Sequence, residues 1–468
     1  MVFSSLLFIF TYLPAVLAVY FILPRGWRNA FLFFASLIFY AWGEPGYVLL
    51  MLFTITFGWL AGLLLGRWGQ DRRKARAILI LDIIVNVGIL GFYKYGNFFI
   101  ANVNRFAGLG LRGLNLILPL GISFYTFQTM SYAFDVYRGD APVQRNFLSF
   151  GAYVALFPQL IAGPIVRYNT IAEQLDFRRE SLDLFGQGAG LFTIGLAKKV
   201  LLANNIGVFW DNIKTMSPGD MTVLAAWFGI AAFGLQLYFD FSGYSDMAVG
   251  LGRMLGFRFE RNFLYPYISR SITEFWRRWH ISLSTWFREY LYFPLGGSRK
   301  GTPRTVFNLF VVWAATGFWH GANWNFMFWG LYYFAFLVAE KFLWGGLLDK
   351  APKWLRHCYT LAVVMAGWAL FVFEDMGRLG AFVRAMVGRA GGGFVNDRIL
   401  YLLSSWGFVL LAAAVGATPL AAKVYTWATG RWPTAAAWIK PALLLAGLLM
   451  SVAYLVDSSY NPFLYFRF

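Results

Sequence analysis

Long runs of apolar residues, separated by short polar or basic stretches, dominate this chain. A helix needs about 20 mostly apolar residues to cross a bilayer, so each long run is a candidate span. The pattern predicts about eleven to thirteen helical elements, several of them too short or too interrupted to be plain spans. They lie at 5–23, 29–42, 47–66, 77–93, 114–134, 147–164, 187–210, 222–240, 305–319, 325–344, 357–373, 399–418 and 438–456. The sequence therefore predicts an all-α polytopic membrane protein.

Proline and glycine interrupt the apolar runs at four places. The interruptions lie at Gly43–Gly46, Pro119–Gly121, Gly163–Pro164 and Pro294–Gly297. Non-helical backbone at membrane depth is tolerated only where protein or a water-filled cavity satisfies the freed backbone groups. Several breaks in one chain predict an enclosed cavity. The sequence has no internal repeat, so an inverted-repeat transporter has no direct support.

Residues 257–300 differ from the rest, because charged side chains are mixed there with tryptophan, tyrosine and phenylalanine. On a helix, an apolar and aromatic stripe would comprise positions 272, 275, 276, 279, 283 and 286. Such a segment lies at a membrane interface or re-enters the protein. We divide the single predicted domain, 1–468, into N-terminal helices (1–256), a segment with two histidines (257–330), C-terminal helices (331–456) and an aromatic tail (457–468).

Composition supports the membrane interpretation. The chain is 59% hydrophobic and only 13% charged, whereas soluble domains contain about 25% charged residues. The net charge of +18 is typical of short cytoplasmic loops and of contact with anionic headgroups. No basic stripe lies outside the apolar segments, which argues against a nucleic-acid partner.

Basic clusters follow the first and third candidate spans, at 25–28 and 67–76. Alternating topology puts both on the cytoplasmic side, so we expect the N-terminus to face outward. The first apolar run lacks a basic leader and a small-residue cleavage site, so we expect it to be retained as a helix. The single cysteine, Cys358, excludes an internal disulfide and a cysteine-based zinc site.

Two of the chain's three histidines, His280 and His320, lie in its most tryptophan-rich stretch. Intramembrane imidazoles usually mark a pathway or a reaction. His320 follows an apolar run, and a dry setting would keep it neutral and able to act as a general base. The alternative is a buried structural histidine with one hydrogen bond, Asn323 being a possible local partner. The pair lacks a third ligand at metal-site spacing, so we predict no metal.

A second polar island, Gln236–Asp246, lies within an apolar stretch. Carboxylates at membrane depth must be paired, protonated or solvated. The structural alternative is helix-to-helix hydrogen bonding around a break at Gly243. As a functional role, we favour cavity architecture over direct catalysis. The residues assigned to this cavity are Tyr238, Asp240, Ser242 and Asp246.

The segments Glu274–Trp286 and Trp319–Asn323 resemble the membrane-bound O-acyltransferase family. The resemblance is to the bacterial branch that serves O-acetylation of alginate, cellulose and peptidoglycan. Further matching segments are Met1–Ser5, Phe39–Trp42, Leu118–Tyr125, Asp135–Gly139, Leu160–Pro164 and Tyr238–Met247. The resemblance implies a ring of helices around a thin centre, with a cytoplasmic donor tunnel that meets an outward-facing funnel.

The resemblance also implies residue roles. His320 corresponds to the family's catalytic histidine and His280 to its second histidine, on the segment that lines the tunnel. The tail resembles the C-terminal aromatic motif of a small partner in teichoic-acid D-alanylation, which makes Tyr465 a candidate acyl relay. Donor or substrate binding is assigned to Trp276, Arg277, Arg278, Trp279, Trp319 and Asn323.

The predicted activity is acetyl transfer at the bacterial inner membrane, for O-acetylation of an envelope or secreted polysaccharide. Acetyl-CoA would be the donor, with no permanently bound cofactor. The predicted partners are a periplasmic acetyltransferase of SGNH type or another polymer-modifying enzyme, membrane lipid and a polysaccharide synthase complex. A lipid or protein acyltransferase, an acyl-donor channel and a structural scaffold remain alternatives. The sequence does not identify the glycan.

Overall fold

The computed structural model of the chain describes residues 1–114, 116–217, 219–457 and 464. These residues form α, π and 3₁₀ helices, and no strand occurs among them. The predicted all-α class is therefore confirmed. The packing of the chain divides it into two compact units. Unit 1 comprises Met1–Phe192 and Ser245–Arg261, and unit 2 comprises Thr193–Tyr244 and Asn262–Phe468.

Unit 1 contains eight complete α-helices among its described residues. They are α1 (Leu13–Ile22), α2 (Arg28–Ala41), α3 (Val48–Trp68), α4 (Arg72–Ala107), α5 (Ile122–Arg138), α6 (Phe147–Ala155), α7 (Phe157–Leu160) and α8 (Tyr168–Asp176). A π-helical segment, Phe8–Tyr12, precedes α1, and 3₁₀ turns at Arg25–Trp27 and Pro45–Tyr47 precede α2 and α3. The predicted span 147–164 is wrong, because the chain is extended at Leu156 and two short helices replace it.

Two long helices contribute residues to both units, and the remaining helices belong to unit 2. The shared helices are α9 (Leu182–Ala197) and α11 (Val223–Met254). The others are α10 (Asn204–Lys214), α12 (Ile272–Arg278), α13 (Ile281–Phe287), α14 (Gly301–His320), α15 (Trp324–Ala339), α16 (Gly345–Lys350), α17 (Lys353–Val372), α18 (Met376–Met386), α19 (Asp397–Gly416), α20 (Leu420–Arg431) and α21 (Pro433–Asp457). π-Helical segments lie at Lys198–Ala203, Arg288–Tyr292 and Glu340–Trp344, and a 3₁₀ turn lies at Pro266–Ile268.

Eight helices among the described residues are long and apolar enough to cross a bilayer. They are Pro45–Trp68, Arg72–Ala107, Leu182–Lys214, Val223–Met254, Trp324–Lys350, Lys353–Val372, Asp397–Gly416 and Pro433–Asp457. The predicted element 77–93 underestimates its helix, because α4 continues in both directions through polar residues. The helical continuity across Lys198–Ala203 joins α9 and α10 into one candidate span.

Buried polar side chains join α4 to α5 inside unit 1. Asn86 donates to the Asp82 carboxylate at 3.1 Å, and Thr129 donates to the Asn86 amide oxygen at 3.1 Å. Asp82 and Asn86 are 0% and 1% exposed. Because an unpaired polar group in an apolar interior is costly, this chain of hydrogen bonds fixes the register of the two helices.

In unit 2, α14 and α15 cross at a point where neither helix carries a side chain. A Cβ atom built on Gly317 would lie 2.5 Å from the carbonyl oxygen of Phe326 and 3.3 Å from the Cα of Gly330. Small residues at a crossing allow two backbones to approach closely. This contact lies three residues before His320 and therefore fixes the end of α14.

The predicted helix break at Gly243 is wrong, since α11 runs through it from Val223 to Met254. A Cβ atom on Gly243 would lie 2.7 Å from the carbonyl oxygen of Gly195 and 3.1 Å from the backbone nitrogen of Lys199. Glycine is needed here for the close approach of α11 to the helix that carries Lys199. The glycine at position 243 therefore marks a close contact between two helices and not a helix break.

Replacing Gly317 by alanine should destabilise the protein, because the new methyl group has no room beside the Phe326 carbonyl. Overpacking of this kind costs about 1–3 kcal/mol. Thermal unfolding in detergent micelles, followed by size-exclusion chromatography, measures the change. The control is Gly407→Ala in α19, where no atom lies within 4 Å of the added Cβ. Equal transition temperatures for the two variants would contradict the close crossing.

Candidate functional site

The structure brings the two histidines together in the core of unit 2. The Trp319 ring packs against both, with its centroid 5.8 Å from the His280 ring and 5.1 Å from the His320 ring. His280 and His320 are 1% and 7% exposed. Two imidazoles that are forty positions apart in the sequence therefore share one buried aromatic environment.

The position of His320 is set by the end of α14. It is the last residue of that helix, and the extended backbone of Gly321 turns the chain away. Its Nδ1 lies 2.7 Å from the carbonyl oxygen of Thr316, one turn earlier. Because a carbonyl oxygen can only accept, Nδ1 carries the proton and Nε2 carries the lone pair of the neutral ring. This is the tautomer that a general base at Nε2 requires.

Aromatic rings line the surroundings of His320. The centroids of Trp329 and Phe371 lie 4.7 Å and 5.8 Å from its ring. The space beside Gly321 is filled by the ring of Phe326, so this glycine makes room for packing and not for a substrate. Asn323 caps α15 by accepting from the Trp324 backbone nitrogen at 2.7 Å, so its amide oxygen serves that helix end.

His280 lies at a sharp joint between α12 and α13. Its backbone is left-handed, with φ 46° and ψ 54°. This conformation costs about 1–2 kcal/mol for a residue with a Cβ. Glycine or asparagine would adopt it more easily, so the strain is consistent with selection of the imidazole for its side chain.

The helical stripe predicted for 272–286 is wrong in its geometry, because two short helices replace one long one. The segment 262–264 forms hydrogen bonds with the backbone at the joint between α12 and α13. The Asn262 carbonyl accepts from Ile281 at 2.9 Å, and its amide oxygen accepts from the Ser282 backbone at 3.1 Å. The Leu264 backbone nitrogen donates to the Arg278 carbonyl at 2.9 Å. These long-range contacts allow a break that helical periodicity does not reveal.

The imidazole of His280 is buried without polar contacts from the described part of the chain. Neither ring nitrogen has a hydrogen-bond partner there, and Phe241 packs against the ring at 4.7 Å. His280 lies outside the eight candidate spans. Burial lowers its pKa well below the usual range, and the neighbouring His320 acts in the same direction. A neutral ring with an unused donor and acceptor is suited to bind a polar ligand atom.

The tryptophans assigned to donor binding are buried and pack against other aromatic rings of unit 2. Trp276 packs against Trp313 at 4.8 Å, and Trp279 packs against Trp368 at 4.9 Å. Trp276, Trp279 and Trp319 are all buried. They hold the joint and the end of α14 in place, and a direct contact with donor stays a prediction.

The two adjacent arginines have different surroundings. Arg278 forms an ion pair with Glu274 at 2.9 Å and donates to the Leu264 carbonyl at 3.1 Å. Arg277 is exposed and lines a cavity of about 490 Å³. Lys341 and Arg356 line the same cavity, but so do Glu340 and Asp349, and Arg356 pairs with Asp349 at 3.1 Å. The cavity thus contains charges of both signs, and the sequence analysis missed Lys341 and Arg356.

The residues of the second polar island separate along α11. Tyr238, Asp240 and Ser242 are buried in unit 2, whereas Asp246 lies further along in unit 1 and is partly exposed. Asp240 forms an ion pair with Lys199 at 2.6 Å. Sequence reasoning overlooked Lys199, although a lysine near the middle of a long apolar helix signals a buried partner.

Asp240 also contacts the C-terminal tail. Its Oδ2 accepts from the Leu464 backbone nitrogen at 2.8 Å. Tyr465, the predicted relay, lies outside the described residues. Among the residues that are described, no group of three or more histidine, cysteine, aspartate or glutamate side chains could hold a metal ion.

Comparisons with known proteins agree with the sequence resemblance. A profile of MBOAT, the membrane-bound O-acyltransferase family, matches residues 140–373, which include both histidines. A probable alginate O-acetylase AlgI from Azotobacter vinelandii is 44% identical, over 80% of this chain and 76% of its own length. A protein of the same name from Pseudomonas putida is 40% identical over 100% of both chains.

A peptidoglycan O-acetyltransferase from Helicobacter pylori is 35% identical, over 84% of this chain and 80% of its own length. Long coverage at these identities, together with the profile match, is decisive for family membership. The buried histidine pair lies inside the matched region. The chain is a multi-pass membrane enzyme that belongs to the membrane-bound O-acyltransferase family.

Proposed function

We propose that this enzyme transfers acetyl from cytoplasmic acetyl-CoA across the inner membrane for O-acetylation of an envelope or secreted polysaccharide. The observation that carries the proposal is the buried pair His280 and His320, in which the Thr316 carbonyl selects the tautomer of one ring. Relatives named alginate O-acetylase and peptidoglycan O-acetyltransferase support the choice of acetyl and of a polymer acceptor.

His320 is the general base in this proposal. Its Nε2 takes the proton of the acceptor hydroxyl while the hydroxyl oxygen attacks the thioester carbonyl carbon. The carbon–sulfur bond then breaks, and CoA leaves as a thiolate that is protonated by the His320 imidazolium. The Nδ1 contact with Thr316 holds the ring in one orientation throughout.

His280 serves the acyl donor. Its neutral ring offers one N–H group, which would donate to the thioester oxygen as negative charge develops there. Support comes from the burial of the ring and from the two nitrogens without partners among the described residues. The left-handed backbone at this position fixes the direction from which the N–H approaches.

The donor's phosphates would bind in the cavity at Arg277 and Lys341, which line it beside the Arg356–Asp349 ion pair. Arginine forms paired hydrogen bonds with phosphate. Arg277 is only three residues from His280 in the chain. This arrangement supports a bound donor whose phosphates stay at the mouth while its acetyl group extends towards the histidines.

The first acceptor would be the hydroxyl of Tyr465, and a periplasmic enzyme of SGNH type would then acetylate the polymer. A hydrated polysaccharide cannot enter a narrow membrane tunnel, whereas an acetyl group can. The backbone contact of Leu464 with Asp240 supports a tail that is docked in unit 2. Alginate is the first polymer to test because of the full-length relative, and peptidoglycan is the second.

Replacing His320 by alanine or glutamine should lower acetyl transfer by about a hundredfold or more, since general-base catalysis contributes about 10²–10⁴ in rate. Labelled acetyl-CoA and the polymer-modifying partner, reconstituted with the purified enzyme, measure the transfer. Membrane expression should stay normal in both variants. Full activity of His320→Gln would favour a passive donor channel and contradict the base mechanism.

Replacing Tyr465 by phenylalanine removes only the hydroxyl group, so transfer to the polymer should be lost while folding is kept. Mass spectrometry of the wild-type C-terminal peptide should detect an added acetyl group after incubation with acetyl-CoA. Tyr460→Phe is the matched control, because it removes another phenol from the same tail. Unchanged transfer by Tyr465→Phe would reduce the tail to a docking element.

Arg277→Ala should raise KM for acetyl-CoA about tenfold with little change in kcat, because a charge-assisted hydrogen bond contributes about 1.5–3 kcal/mol. Initial rates at varied acetyl-CoA concentration measure both constants. The control is Arg288→Ala, since Arg288 is exposed and pairs with Glu289 at 3.6 Å. Equal KM values for Arg277→Ala and the wild type would remove this cavity from the donor path.

A further inference from the structure

Two charged side chains lie near the middle of two long apolar helices. Lys199 is in the candidate span Leu182–Lys214, and Asp240 is in Val223–Met254. Their side chains are 4% and 3% exposed, and their charged atoms are 2.6 Å apart. A buried ion pair is often no more stabilising than apolar residues of similar volume. The pair is therefore weak evidence for a stabilising role, and its further contacts become informative.

The geometry of the pair leaves one carboxylate oxygen for another partner. Lys199 Nζ contacts Asp240 Oδ1 and also donates to the Asn204 amide oxygen at 3.0 Å. Asp240 Oδ2 accepts from the backbone nitrogen of Leu464 at 2.8 Å. A carboxylate oxygen of an ion pair forms a stronger bond to a backbone N–H than a neutral acceptor does.

The local fold is built to bring these groups together. Lys199 lies in the π-helical segment Lys198–Ala203, which shifts its side chain relative to a regular α-helix. The absence of a side chain at Gly243 lets α11 approach that segment closely. π-Segments inside α-helices are frequent at functional sites. Two independent local features thus favour the pairing of Lys199 with Asp240.

The contact holds residue 464 by its backbone. The Leu464 side chain packs against the large hydrophobic cluster of unit 2. A backbone hydrogen bond selects a position along the chain and not a side-chain type.

We infer that the Lys199–Asp240 ion pair is the receptor for the chain's own C-terminal tail, which it holds through the Leu464 backbone, and that this contact is needed for acyl transfer. This inference rests on the proposed function for its second half only. Lys199 and Asp240 are positioning residues, and they take no part in bond making. Docking of the tail through Leu464 stands independently of whether Tyr465 carries acetyl.

Two variants break the contact in different ways. Leu464→Pro removes the backbone donor, and Lys199→Met combined with Asp240→Leu removes both charges while keeping apolar volume. Leu464→Ala keeps the donor. Asp82→Asn is the matched control, since it alters another buried carboxylate in a long helix, one that accepts a hydrogen bond from Asn86. Transition temperatures in detergent identify the variants that fold, and Leu464→Pro alone decides the test if the double variant does not.

The first readout is the rate at which carboxypeptidase removes the tail from the detergent-solubilised full chain, followed by intact-mass spectrometry. Leu464→Pro and the double variant should lose residues about tenfold faster than the wild type, as expected for loss of a hydrogen bond to a charged group. Leu464→Ala should be intermediate, and Asp82→Asn should match the wild type. Wild-type trimming rates in both breaking variants would overturn the inference.

The second readout is acetyl transfer. Leu464→Pro and the double variant should lose kcat about tenfold with an unchanged KM for acetyl-CoA, because neither changes the cavity lined by Arg277. A general structural defect would change both constants and the transition temperature. If Tyr465→Phe keeps full transfer, the relay proposal fails while the trimming result still decides docking. Faster trimming with an unchanged kcat would overturn the positioning role.

Discussion

Burial of polar groups in an apolar interior is the constraint on which unit 2 depends. A charge or hydrogen-bonding group there must find a partner within the protein or be available to a ligand. Asp240 finds Lys199 and the Leu464 backbone, and His320 finds the Thr316 carbonyl. His280 is the contrasting case, since neither ring nitrogen has a partner among the described residues. These contacts orient Asp240 and His320, and the two nitrogens of His280 without partners support its proposed role in binding the donor.

In the proposed mechanism, the same constraint suits the two histidines to different chemical roles. Thr316 holds one nitrogen of His320, so its other nitrogen is suited to accept a proton. His280 is held by its backbone and by aromatic packing, and burial keeps its ring neutral. One ring is therefore oriented by a hydrogen bond, whereas the other is oriented by a strained joint. Such a division of roles suits a transfer reaction that needs both a base and a donor-binding group.

Sequence periodicity was informative about burial but not about geometry. Ile272, Phe275 and Trp279 are buried as the stripe predicted. The chain nevertheless breaks at His280, because Asn262 supplies the hydrogen bonds that an uninterrupted helix would make within itself. At Gly243 the sequence predicted a break where the helix is continuous, since a glycine in a helix can serve a close helix contact as well as a break. In both cases a residue distant in sequence decided the outcome.

The sequence by itself determined the all-α class, the family and the two histidines of the candidate site. Apolar run length, tryptophan-rich motifs and rare intramembrane imidazoles are local properties that a single sequence carries. Only the tertiary structure decided that Lys199 pairs with Asp240, that Leu464 joins them, and that Arg277 shares a cavity with Lys341. The physical reason is that electrostatic and hydrogen-bond partners are chosen by distance in space, and no periodicity along the chain encodes that distance.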